Sequence, residues 1–337
     1  MRRPFALLAA ALLTGALAVP ASAAEGEGPR TRSAGDGGFT IKDPRITESS
    51  GLAASRQHPG IYWTHNDSDD GPYLYAVDSA TGETVARLTL TGIGSPRDVE
   101  AISIGPGNRI FVGDIGDNLG GTWPHVWIYE LPEPEELSDR TVRATQYVVT
   151  YADGARDAES MVVHPKTGRV YIIDKNEDGG HLYEGPAELS ASGPNVFRRT
   201  VPIDLWATDA ALSPDGEHLA VRGYLGGIHY AWNDGKPQRK GRLSVPLQGQ
   251  GESVTFSADG TRILYGTEGT QSPVEAREAP GAKAAEGDGG DGGQGSSGAD
   301  GAAAGDDALG DGVKLGGAAV AVICVLLFAL GRRRRRG

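Results

Sequence analysis

The sequence predicts an all-β fold, a five-bladed β-propeller, on three observations. A short phrase recurs five times, a turn and a second apolar run follow each copy, and helical patterning is scarce. The copies are Ser50-Gly-Leu-Ala-Ala-Ser, Glu100-Ala-Ile-Ser-Ile-Gly, Glu159-Ser-Met-Val-Val-His, Thr208-Asp-Ala-Ala-Leu-Ser and Glu252-Ser-Val-Thr-Phe-Ser. Their leading residues stand 50, 59, 49 and 44 positions apart, room for several short strands per repeat. An open β-sandwich is the alternative, but sandwiches do not normally carry five copies of one phrase.

Taken from the N-terminus, residues 1–23 read as a signal peptide. Arg2 and Arg3 precede an apolar run from Phe5 to Val19, and Ala21-Ser22-Ala23 supplies small residues for cleavage. Residues 24–37 form a flexible lead, and the propeller is expected over residues 38–279. Each phrase is followed, across a Gly-, Pro- or Asp-rich turn, by a run such as Ile61-Tyr62-Trp63, Arg109-Ile-Phe-Val112 or Val170-Tyr-Ile-Ile173. Only about three strands fit after Glu252, so Phe39 to Ile41 are expected to supply the outer strand of the last blade and remove its free edge.

Residues 280–312 are nearly all Gly, Ala, Asp, Glu and Ser, a composition that predicts a disordered acidic linker. Residues 313–331 are apolar or small apart from Lys314 and precede five arginines, Arg332 to Arg336. This reads as one transmembrane helix with a cytoplasmic Arg tail, residues 332–337. The expected placement is single-pass in the cell membrane with the propeller outside. The tail resembles the end of a Gram-positive surface protein, without the Leu-Pro-x-Thr-Gly of covalent anchoring.

The formal charge is −12; Arg2, Arg3 and the five terminal arginines supply seven positive charges, so the portion between them carries −19. Such a surface argues against a nucleic-acid partner, which needs clustered Lys and Arg, and favours cations. The one cysteine, Cys324, falls in the membrane segment, so neither disulfides nor thiol chemistry are expected outside the cell. No Gly-x-Ser-x-Gly, His-Glu-x-x-His, Walker or dinucleotide glycine motif occurs.

In a propeller the innermost strand of each blade lines the channel. Aligned on the phrase, Ser50, Glu100, Glu159, Thr208 and Glu252 form an oxygen-only ring, which suits a hard cation with flexible geometry, calcium. The alternative is hydrogen bonding across blades or to channel water. This column resembles that of calcium-activated nucleotidases (soluble apyrases), whose propeller calcium is held by Ser, Glu, Glu, Ser and Glu; Thr208 is the one departure and keeps the hydroxyl. The phrasing from Ser50 to Ile102 also resembles exported bacterial propellers of the SdiA-regulated type.

Blades two and three share Arg-Asp-x-Glu, at Arg97-Asp98-Val99-Glu100 and Arg156-Asp157-Ala158-Glu159. Paired arginines near a metal would suit an anionic substrate, or each neutralises its own acidic cluster. Acidic turns after the second strands, the His65–Gly71 stretch among them, place a recognition face on one rim, with Trp63 beside it. Asp174-Lys-Asn-Glu-Asp-Gly179 resembles the start of a calcium loop but lacks the closing glutamate, so a tight turn is expected. Two functions follow. One is a surface module that recognises a small molecule or extracellular protein, with calcium structural. The other is a calcium-dependent hydrolase of phosphate esters or nucleotides, with His65, Asp67, Arg97 and Arg156 as catalytic candidates.

Overall fold

The computed structural model describes residues 38–281, other than positions 69 and 118. The expected signal peptide, lead segment, membrane helix and Arg tail, and the linker beyond Gly281, lie outside the described residues. Among the described residues there is no α-helix, and the chain is all-β.

Phe39–Thr40 is β1. Leu52–Ala54, Ile61–Thr64, Tyr73–Asp78 and Thr84–Thr91 are β2 to β5. Val99–Gly105, Arg109–Asp114 and Val126–Pro132 are β6 to β8. Arg140–Arg143 is β9 and Thr145–Tyr151 is β10. Ala158–Val163, Val170–Asp174, Gly180–Glu184 and Asn195–Ile203 are β11 to β14. Asp209–Leu212, His218–Gly223, Gly226–Ala231 and Gln238–Leu243 are β15 to β18. Gly251–Phe256, Arg262–Thr267 and Pro273–Glu278 are β19 to β21.

Hydrogen bonding joins the strands into four sheets, ordered β2-β3-β4-β5-β9, β6-β7-β8-β10-β14-β13-β12-β11, β15-β16-β17-β18 and β19-β20-β21-β1. The long sheet is two antiparallel halves joined where β10 and β14 run parallel, with Val149 opposite Asn195. The leading strands β2, β6, β11, β15 and β19 each touch the next, and β19 touches β2, so they close a propeller-like cycle. Residues 133–144 leave the second repeat to lay β9 parallel to β5, Leu88 opposite Arg140. That excursion accounts for the long interval between Glu100 and Glu159.

The cycle closes with β1, whose Phe39 pairs with Val274 of β21, the outer position expected for this segment. Ile41, 1% exposed, packs in a core cluster with Ile46, Leu52, Tyr62 and Val274, and its N–H donates to Ser272 O at 3.0 Å. Ile41→Ala should therefore cost about 2–4 kcal/mol by leaving a cavity at the closure. The midpoint of urea unfolding measures this, and an unchanged midpoint would contradict the closing role.

The axis is narrow. A cavity of ≈ 40 Å³, touched by Ala53, Ile102, Val163, Ala211 and Phe256 from the five leading strands, has room for about three waters.

Candidate functional site

Three glutamates of the expected ring share one backbone device. The β6/β7 register shifts between Val99 and Ala101, the β11/β12 register between Ala158 and Ser160, and the β19/β20 register between Gly251 and Ser253. Glu100, Glu159 and Glu252 are the residues at those irregularities. An extra residue in one strand turns its side chain out of the regular alternation, a common way to aim a group at a site. All three are buried, as are Ser50 and Thr208. The two hydroxyls have partners of their own: Thr208 Oγ1 donates to Gly251 O at 3.2 Å, and Ser50 Oγ lies 3.4 Å from Glu48 O and from Glu268 Oε1.

The tightest acidic grouping draws on two sheets. Asp67, Asp98 and Glu100, all buried, each offer a carboxylate oxygen within 4.8 Å of the others. Backbone bonds bring Asp67 across: its N–H donates to Glu48 O at 3.0 Å, and its carbonyl accepts the N–H of Val99 at 2.7 Å. Gly116 makes room, since a Cβ there would lie 2.7 Å from both Asp98 Oδ2 and Glu100 Oε1. Among the described residues, Asp67 Oδ1 and Glu159 Oε2 are buried with no hydrogen-bond partner.

One cation stands inside this acidic lining. Lys175 Nζ contacts Glu159 Oε1 and lies 3.0 Å from Tyr224 Oη. Burial opposes its charge, but Glu159, Tyr224, Glu100 and Glu252 outweigh that and hold the ammonium protonated. The carboxyls move the other way. Burial, then the charge of Glu159, pushes Glu100 and Glu252 well above the usual range. Burial carries Glu159 to about 8 against the pull of Lys175, and Glu268 to about 7.

Lys175, Tyr224 and Glu268 were not legible from the recurring phrase. They belong to a second column, the residue that follows each second strand: His65, Ile115, Lys175, Tyr224 and Glu268. The repeat spacing would have found this column, but its members share no chemistry.

The other candidates have specific neighbours. His65, 1% exposed, is held to about 4 by burial and is neutral near pH 7; Nδ1 faces Asn66 O at 3.2 Å and Nε2 has no hydrogen-bond partner. The Arg97 guanidinium lies between the rings of Trp123 and Trp127, 4.0 and 3.7 Å from their centroids, and donates to His125 O at 2.9 Å. Arg156 pairs with Asp153 at 2.8 Å and donates to Tyr183 Oη at 2.7 Å. Trp63 is no rim residue: it is fully buried, and its Nε1 donates to Glu133 Oε1 at 2.7 Å. The Asp174–Gly179 stretch is a tight turn, with Gly179 at φ +103° and its N–H on Asn176 O at 3.1 Å. Its product is the inward placement of Lys175.

No family model matches the chain, and no curated protein does, so neither resemblance drawn from the sequence gains support from these comparisons. Among solved structures it is similar to the soluble aldose sugar dehydrogenase of Escherichia coli in its apo form. The two are 11% identical over 71% of this chain and 98% of that one, with a TM-score of 0.45. It is likewise similar to the PQQ-bound aldose sugar dehydrogenase of Streptomyces coelicolor, at 12% identity, 71% and 96% coverage and a TM-score of 0.42. Likeness of this degree carries no argument about a ligand or a reaction.

Proposed function

We propose that the chain is a five-bladed propeller, exported and anchored in the cell membrane, which holds a calcium ion at the acidic end of its channel and serves as a recognition module. The observation that carries the reading is the meeting of Asp67, Asp98 and Glu100, with the buried, partnerless Asp67 Oδ1 among their oxygens. An all-oxygen, anionic, irregular donor set suits calcium better than a metal that prefers nitrogen or sulfur. Lys175 already neutralises Glu159. The ion's place in the ring of Ser50, Glu100, Glu159, Thr208 and Glu252 is therefore toward Glu100, with Asp67 and Asp98 added.

Lys175 also favours a second reading. A protonated ammonium beside a divalent cation suits a phosphoryl group, so a calcium-dependent phosphoesterase would lean on Lys175 more than on Arg97 or Arg156. In both readings the ion comes first. Calorimetric titration of the full chain with calcium should show one site, weakened at least tenfold in Glu100→Gln. No heat in the wild type removes both readings. Calcium-dependent turnover of a nucleotide or aryl phosphate, lost in Lys175→Met, selects the hydrolase; binding without turnover selects the module.

A further inference from the structure

Away from the channel, the sheet β15-β16-β17-β18 brings two histidines together. His218 opens β16 and His229 lies in β17, where β16 residues Ala220 and His218 pair with His229 and Ala231. The histidines are thus diagonal neighbours on one sheet face, within reach of each other. His218 Nδ1 and His229 Nε2 stand 3.0 Å apart, with ring centroids 5.0 Å apart and planes inclined by 45°.

We propose that this pair is a site for a tetragonal late transition metal, Cu(II) foremost. Two nitrogens 3.0 Å apart, each roughly 2.05 Å from a shared metal, subtend an angle of about 90° there. That is the cis angle of a tetragonal Cu(II) or Ni(II) ion, and it is narrower than tetrahedral zinc requires. Imidazole nitrogen is a poor ligand for calcium, so the site is chemically distinct from the carboxylates of the channel. Water ligands have room, because Gly241 lies opposite His229 and a Cβ added there would meet nothing within 4 Å.

Proton bookkeeping permits the exchange. In the neutral pair one ring donates its N–H to the other. When metal takes that place, the donor ring moves its proton to its second nitrogen, and no net proton is released. His218 Nε2, beside Gly281, and His229 Nδ1 are those second positions. The charges nearby are mixed: Asp215 interacts favourably with His218, while Lys240 opposes positive charge at His229.

The test is Cu(II) titration of the full chain at pH 7.5, followed by electron paramagnetic resonance. The expected spectrum is one tetragonal signal with superhyperfine splitting from two nitrogens. Affinity should fall at least tenfold in His218→Gln and in His229→Gln. A wild-type signal without nitrogen coupling, or the same signal retained in both variants, overturns the site. If His229→Gln fails to fold, the wild-type spectrum together with His218→Gln decides the matter.

Discussion

Arg222→Ala is expected to cost about 4 kcal/mol or more and to lower the melting temperature by roughly 10 °C or more. Arg222 is fully buried. Its Nη1 donates to Ser253 O and Gly266 O, each at 2.7 Å, and its Nη2 donates to Gln248 Oε1 at 2.9 Å. It therefore staples β16 to β19 and β20 of the neighbouring sheet. Burial lowers its pKa to about 10, against the support of Glu252 and Asp209. Truncation leaves two buried carbonyls without their donor, each at a cost of about 1–3 kcal/mol, and opens a cavity. Gly251 gives an independent check, because a Cβ there would fall 2.0 Å from Arg222 Nη2. Gly251→Ala should destabilise the wild type clearly and cost much less in the Arg222→Ala background. Additive losses in denaturant titrations of the four proteins would show that the clash is not the cause.

The second large effect concerns pH. In chelator, the melting temperature should fall as pH rises from about 5 to 8. Glu268, carried to about 7, joins Glu100 and Glu252 as carboxyls whose protonated form the fold prefers, whereas Glu159 has Lys175 as its counter-ion. Unfolded, such groups ionise near pH 4.3. The stability they add is complete below that value and is lost as pH climbs through their folded pKa values, on the order of 3 kcal/mol for Glu268 alone. Asp43, held to about 2 chiefly by Arg45, works in the opposite sense and sets the lower limit. Calcium selects the ionised carboxylates, so saturating calcium should flatten the decline. A chelated protein whose melting temperature is level or rising over this interval would contradict the electrostatic picture of the channel.

The repeat spacing carried the fold because each copy of the phrase is a strand followed by a turn, and turns announce themselves through Gly, Pro and Asp. The closing role of Phe39 to Ile41 followed from counting strands after Glu252. The site was only partly legible. A bulge adds one residue and leaves no mark in the alternation, so the device that aims Glu100, Glu159 and Glu252 was hidden. Lys175 was hidden for another reason: its column holds a different residue type in every repeat. The twin Arg-Asp-x-Glu motifs show that identical words can have different surroundings. Arg97 lies between two tryptophans, whereas Arg156 pairs with Asp153.

A crystal structure grown with calcium, with anomalous data collected at long wavelength, would show the ion itself. An anomalous peak is expected between Asp67, Asp98 and Glu100, with carboxylate oxygens at about 2.3–2.6 Å. Water alone between these carboxylates at saturating calcium, with Lys175 the sole cation in the channel, would contradict the calcium site.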